Sequence, residues 1–180
     1  DLGARSAEQG QVANSESAFS QAATYYEGLA PRVGQSGEVL RLAGDARLQA
    51  GHFPRALDNF RKAAYEAPGY SEAADAAWAA VTLLRDGVDQ QYEAAAFRPG
   101  LEDLSDEANR FNERFAGDNR GSGLMADLAA RWLAAGNHER GLHYASLVLN
   151  APGASPAERY ATWQVTARIR QKEGDFGLAE

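Results

Sequence analysis

LAGDARLQAGHFPRALDNFRKAAYEAPG, the stretch from Leu42 to Gly69, decides how the rest of this 180-residue chain is read. Its small residues stand at fixed places: Ala43 and Gly44, then Gly51, then Ala56 and Ala63. Aromatics at Phe53 and Phe60 lie between them, and Pro68-Gly69 closes the run. A glycine between two apolar-periodic segments suits a tight turn, because positive φ is cheap only without a Cβ. The spacing predicts a first helix over about Gly37 to Ala50, with Leu40, Ala43 and Ala46 on one side. A second helix starts near Pro54, a residue suited to a first helical position, and ends before Pro68. Ala56 and Ala63 are small where the two helices touch, and Phe53 and Phe60 fill the space alongside.

Working outward, the same grammar extends in both directions. Upstream, Glu16 to Leu29 is expected to be helical, with Phe19, Ala22, Ala23 and Tyr26 as an apolar stripe, ended by Pro31 and Gly34. Residues 1–15 are small and polar and are expected to form a tail or frayed end. Downstream, Ser71 to about Arg85 is a helix with Ser71 as N-cap. Gly87 is where a turn should follow, but the partner helix comes only at Leu101 to Phe115. Its stripe is Leu104, Ala108, Phe111 and Phe115. Asp86 to Gly100 therefore reads as an insertion. From Leu124 to Gly153 the pattern returns, with Leu128, Ala129, Trp132, Gly136, His138, Gly141, Ala145 and Pro152. A further helix opens at Ser155-Pro156-Ala157-Glu158 and leads to Trp163, Ala167, Gly174, Phe176 and Ala179. The turn glycines Gly51, Gly100 (or Gly87), Gly136 and Gly174 are 36–49 residues apart. No sustained polar/apolar alternation marks a strand, so the fold class expected is all-α.

This order of small, aromatic and turn residues resembles the tetratricopeptide repeat, a helix–turn–helix unit of about 34 residues. The resemblance covers residues 16–180. It departs from the pattern at Arg47, Leu83 and Arg170, where an aromatic is usual, and at the 86–100 insertion. It implies that each unit cannot bury its apolar face alone and stacks on its neighbours. The implied architecture is a right-handed solenoid of antiparallel helix pairs, with first helices lining a concave face. The implied function is a protein-interaction scaffold holding a peptide or partner domain in that groove, as part of a larger assembly. The polar groove positions mapped from the family are Arg41, Asp45 and Gln49, then Asp127, then Gln164, Arg168 and Lys172. The insertion adds Tyr92, Phe97 and Arg98, either as interface anchors or as a plug folded back on the stack. A structural spacer or self-association module, with a homo-oligomer as its form, is the second reading. A helical-repeat hydrolase or lyase is the third.

Composition sets limits on these readings. The net charge of −7 and pI of about 5.0 argue against a nucleic-acid binder, which needs a basic stripe for phosphates. No run of about 18 apolar residues spans a membrane. No signal peptide is recognisable, and the chain begins at Asp1 without an initiator methionine. That start and the half-written last unit suggest a processed product or a piece of a longer repeat protein. The general look is similar to repeat regions of large bacterial envelope proteins, so a periplasmic or envelope setting is expected. With no cysteine there are no disulfides or thiolate chemistry.

No reactive constellation stands out, so the expectation is a non-enzyme without cofactor or metal. His52, His138 and His143 lack the i, i+4 spacing of a helical metal site, and a structural role is favoured. Glu102, Asp103, Asp106 and Glu107 cluster at a helix start, where the dipole favours negative charge without any catalytic purpose. Gly121-Ser122-Gly123 lacks the lysine and spacing of a phosphate loop and is expected to be a connector. Trp78, Trp132 and Trp163 are expected to pack within or between repeats.

Overall fold

A computed structural model defines residues 2–90 and 97–174 and, within the first helix, side chains from Ala13 on. Eight α-helices form, with no strand among the described residues: α1 (Leu2–Leu29), α2 (Gly37–Gln49), α3 (Phe53–Arg61), α4 (Ala73–Val88), α5 (Leu101–Arg114), α6 (Arg120–Ala134), α7 (His138–Asn150) and α8 (Pro156–Glu173). The all-α expectation is met. The chain divides into two compact units, Asp1–Gly100 and Leu101–Glu180.

In the first unit α1 packs on α2, α2 on α3, and α3 on α4. Alanine sets the approach: Ala43, Ala56, Ala63, Ala76, Ala77 and Ala80 are fully buried. Gly44 shows how close α2 and α3 come, since a Cβ there would lie 2.5 Å from the Phe60 ring. Phe60 is itself 1% exposed, and burying such a ring is worth about 2–3 kcal/mol. Gly51 takes φ +70° between the two helices, as the turn requires. After Arg61 the helix widens into a π-turn over Lys62–Glu66.

Helix α1 begins at Leu2, within the segment expected as a tail or frayed end, and its Ala, Gln and Glu residues are good helix formers. Three expectations change here. Ser71 caps nothing, since α4 starts at Ala73 behind Glu72. The cause is Tyr70, whose ring fills the space a side chain at Gly37 would occupy and so holds the preceding turn. Gly87 does not turn the chain; it stays helical, and Gln90 takes the left-handed conformation, at φ 57°. The glycine serves close approach instead, because a Cβ there would lie 2.5 Å from Pro99 and 2.8 Å from Phe97. Finally, Gly121-Ser122-Gly123 is not a connector but the first turn of α6. A Cβ at Gly121 would meet Asn112 at 2.7 Å, and one at Gly123 would meet Glu158 at 3.0 Å.

In the second unit α6, α7 and α8 pack against one another and α5 packs on α6. Leu104, Phe111, Met125, Leu128, Ala129, Val148 and Ile169 form the core. Gly136 makes the α6–α7 turn at φ +80°. At α8, Ser155 accepts from the Glu158 amide while Glu158 accepts from the Ser155 amide, the capping box expected from the sequence. Phe176 and Ala179 lie outside the described residues.

Landmarks of the first unit recur in the second at a spacing of 85 residues. Gly51 and Gly136 turn the chain, and Ala23 and Ala108 are both fully buried. Arg47 and Trp132 occupy one slot, and each donates to a serine 27 residues earlier, Ser20 and Ser105. Trp78 and Trp163 share another slot on α4 and α8.

Candidate functional site

The groove positions expected from the sequence differ in character from helix to helix. On α2, Arg41 and Asp45 neutralise each other across one helical turn, Nε to Oδ2 at 3.3 Å. Gln49 is exposed at the end of that helix. On α6, Asp127 accepts from Arg131 Nε at 2.8 Å, so it too is engaged along its own helix. Only α8 presents unneutralised groups: Gln164, Arg168 and Lys172 are exposed, and neither cation forms an ion pair among the described residues.

Arg168 and Lys172, together with Gln171, border a cleft of about 340 Å³ between α6 and α8. Ala130, Leu133, Ala134 and Val165 supply its apolar floor. The local cause is the i, i+4 spacing of the two cations beside Val165, which faces inward and is 7% exposed. Two flexible cationic arms over an aliphatic floor suit a ligand carrying a carboxylate next to an apolar side chain.

The insertion candidates separate. Tyr92 lies outside the described residues. Phe97 is 7% exposed and stacks on Phe53 at 5.6 Å between ring centroids, so it is a core group of the first unit and not an exposed anchor. Phe97 and Pro99 also lie against Gly87 of α4, where a Cβ would meet both. Arg98 remains exposed.

The most organised polar cluster is one the sequence flagged only as a departure. Arg47, 2% exposed, stands where the helix-pair pattern usually has an aromatic. Its guanidinium donates from Nε to Glu27 Oε1 at 2.8 Å and from Nη2 to Glu27 Oε2 at 2.5 Å. Nη2 also donates to Thr24 Oγ1 at 3.2 Å, and Nη1 lies 3.4 Å from Ser20 Oγ and 3.3 Å from His52 Nδ1. Asn59 Nδ2 donates to Glu27 Oε1 at 2.9 Å, tying α3 into the same cluster. Hydrogen bonding from Arg47 holds the Glu27 carboxyl below its usual range against the opposing effect of burial, with Asn59 adding to the lowering. Glu27 in turn raises Arg47. A signal existed: a buried arginine requires a carboxylate, and Glu27 sits on the neighbouring helix.

The acidic cluster of α5 disperses. Glu102 pairs with Arg140, Asp106 is exposed, and Glu107 turns into the core at 1% exposure. These carboxylates do not converge on one point, and no group of three or more His, Asp or Glu residues placed to hold a metal exists among the described residues. His52 belongs to the Arg47 cluster; His138 is half-buried and His143 exposed. Of the tryptophans, Trp132 is buried with Nε1 donating to Ser105 at 3.0 Å under the Arg140 guanidinium, and Trp78 is half-buried. Trp163 departs from the packing expectation at 58% exposed, because α8 packs by Thr162, Val165 and Ile169 on its opposite side. No helix among the described residues is long and apolar enough to cross a membrane.

No family model matches the chain, and no curated protein or solved structure matches it.

Proposed function

We propose that the chain is a tetratricopeptide-type array of antiparallel helix pairs, stacked as a right-handed solenoid, that serves as a scaffold binding a peptide segment of a partner protein. The 85-residue recurrence of turn glycines, serine-anchored slots and tryptophans supports the repeat reading. The observation that carries the binding reading is the α6–α8 cleft: an aliphatic floor bordered by two cations without ion-pair partners among the described residues. The ligand class is a short acidic segment whose carboxylate meets Arg168 and Lys172 while an apolar side chain lies on Leu133 and Val165. Exposed charge pairs give selectivity and speed of encounter more than affinity, so the apolar contact supplies the binding energy. The protein acts by holding its partner and performs no chemistry on it.

Selection from a displayed random-peptide library tests this. Enriched sequences combine Asp or Glu with Leu, Ile or Phe, and they lose binding to an Arg168→Glu/Lys172→Glu chain. Retention of the same peptides by the charge-reversed chain overturns the assignment.

A further inference from the structure

A cleft of about 420 Å³ lies in the first unit between α3 and the 3₁₀ turn Ala30–Val33, and it shares no residue with the peptide cleft. Leu40, Ala30 and Pro31 give it an aliphatic wall, the first two nearly fully buried. The other wall is the face of α3 that carries Arg55, Asp58 and Asn59 and runs on into Lys62 and Glu66 of the π-turn. Asn59 is 4% exposed and makes one side-chain hydrogen bond, from Nδ2 to Glu27 Oε1. The carboxylate partner fixes the amide with its nitrogen toward Glu27, so Oδ1 lies on the other side and accepts nothing among the described residues. No fully buried side-chain oxygen among the described residues lacks a hydrogen bond, so this one opens onto the cleft that Asn59 lines. Polar groups in so buried a side chain are nearly always satisfied, and an acceptor held open suits a donor on a ligand. The backbone is irregular at the same place. Gln35, which also lines the cleft, takes φ 61°, a left-handed conformation uncommon without glycine. The π-turn is of a kind that frequently sits at functional sites.

Charges around the cleft cancel in pairs, with two exceptions. Glu27 is engaged by Arg47, and Asp58 by Lys62 at 2.7 Å. Arg55 and Glu66 form no ion pair among the described residues, which leaves one cation and one anion to meet a ligand. The Arg47 hydrogen bond dominates the lowering of the Glu27 carboxyl and the field of Arg55 adds to it, so Arg55 lies on the Glu27 side of α3. We infer that this cleft binds a free aliphatic α-amino acid. Its carboxylate pairs with Arg55, its ammonium donates to Asn59 Oδ1 and faces Glu66, and its side chain lies on Leu40, Ala30 and Pro31. Arg55 and Asn59 stand one helical turn apart, a separation that the adjoining carboxylate and ammonium of one α-carbon can bridge. A simple carboxylate leaves the Asn59 acceptor and Glu66 unanswered, and a simple amine does the same to Arg55, so both charges are needed. Every residue involved belongs to the first unit, and the peptide cleft plays no part.

The test is an NMR titration of the isotope-labelled full chain with three probes: L-leucine, leucinamide, which lacks the carboxylate, and 4-methylpentanoate, which lacks the amine. Leucine is expected to shift the Asn59 side-chain amide and Arg55 Nε–H signals saturably below about 20 mM, with each half-ligand about tenfold weaker for want of one charge-assisted hydrogen bond. Arg55→Gln, at an exposed position, brings leucine down to the level of leucinamide, and Asn59→Leu brings it down to the level of 4-methylpentanoate. Such crossed losses come only from direct contact, since a merely structural change weakens all three probes alike. Circular dichroism checks folding, and if Asn59→Leu does not fold, Arg55→Gln and the half-ligands decide the matter. The absence of a saturable shift with leucine overturns the inference. So does a half-ligand that binds as tightly as leucine, which marks a plain anion or amine site, and so does an Arg55→Gln chain that binds leucine like wild type.

Discussion

Removing the two charges of the Glu27–Arg47 pair separately and together gives unequal costs, and the inequality follows from their burial. The Arg47 side chain is 3% exposed and that of Glu27 29%. Glu27→Leu strands a guanidinium in the interior with only Ser20, Thr24 and His52 as partners, none of them a carboxylate. Breaking a buried pair in this way costs about 3–5 kcal/mol, and the residual hydroxyl contacts place this case near the lower bound, about 3 kcal/mol. Arg47→Leu strands a carboxylate that reaches water and keeps its bond from Asn59, so the loss is about 1–2 kcal/mol. The double change to leucine removes both desolvated charges and fills the space, for about 0–2 kcal/mol in all. The coupling is therefore about 2 kcal/mol or more, well outside the additivity of independent sites. Hydrogen exchange read by mass spectrometry on peptides from α1 and α2 localises the effect to the first unit, with urea unfolding as the global check. Equal costs for the two single changes, or a double change that costs their sum, refutes the argument.

Three further outcomes follow from other contacts. Gly44→Ala places a Cβ 2.5 Å from the wedged Phe60 ring, and urea unfolding should register a loss of about 1–3 kcal/mol despite the better helix propensity of alanine. Ser155→Ala removes the α8 capping box for about 1 kcal/mol, seen as faster exchange of the first-turn amides of α8 and a lower Tm. The Glu27, Asp118 and Glu158 carboxyls are all held below their ordinary values, by Arg47, by Arg120 and by the Ser155 amide respectively. Folded values below unfolded ones mean that this stability is complete above the ordinary carboxylate range. It is lost as pH falls from about 4.5 through the folded values, so Tm should be flat from pH 7 to about 5 and then drop. A Tm that rises on acidification contradicts that sign.

The sequence made the second helix pair and its turns legible because they rest on local physics. Gly51, Gly136 and Gly174 take positive φ where only glycine does so cheaply, and Ser155 with Glu158 caps the last helix. What escaped was long-range. Gly87 looked like a turn, but its missing Cβ serves Phe97 and Pro99. Gly121 and Gly123 looked like a linker because two glycines in one helical turn defy propensity, and only the approach of Asn112 and Glu158 explains them. Ser71 had the right chemistry for a cap, yet the docking of Tyr70 against Gly37 moved the helix start past it. At the candidate site, exposure on α8 was readable from its polar spacing. The mutual neutralisation of Arg41 with Asp45, and of Asp127 with Arg131, was present as i, i+4 pairs. The cleft between α6 and α8 needed the packing of two helices about 35 residues apart in sequence, which no local pattern encodes.

The shared slot of Arg47 and Trp132 bears on how such a chain avoids assembling in the wrong order. Helices lined mainly with alanine are nearly interchangeable to one another, so α2 and α6 could compete for the same predecessor during folding. An α2 docked on α5 would bring Arg47 to Asn109 and Asn112, the counterparts of Thr24 and Glu27, and find no carboxylate. An α6 docked on α1 would leave Glu27 beside an indole with no cation. The first mispairing strands the buried guanidinium for about 3 kcal/mol and the second strands the half-buried carboxylate for about 1–2 kcal/mol, preferences of about a hundredfold and of about five- to thirtyfold for the correct neighbour. Two dissimilar side chains at one slot thus act as an address, telling otherwise similar helices which partner is their own.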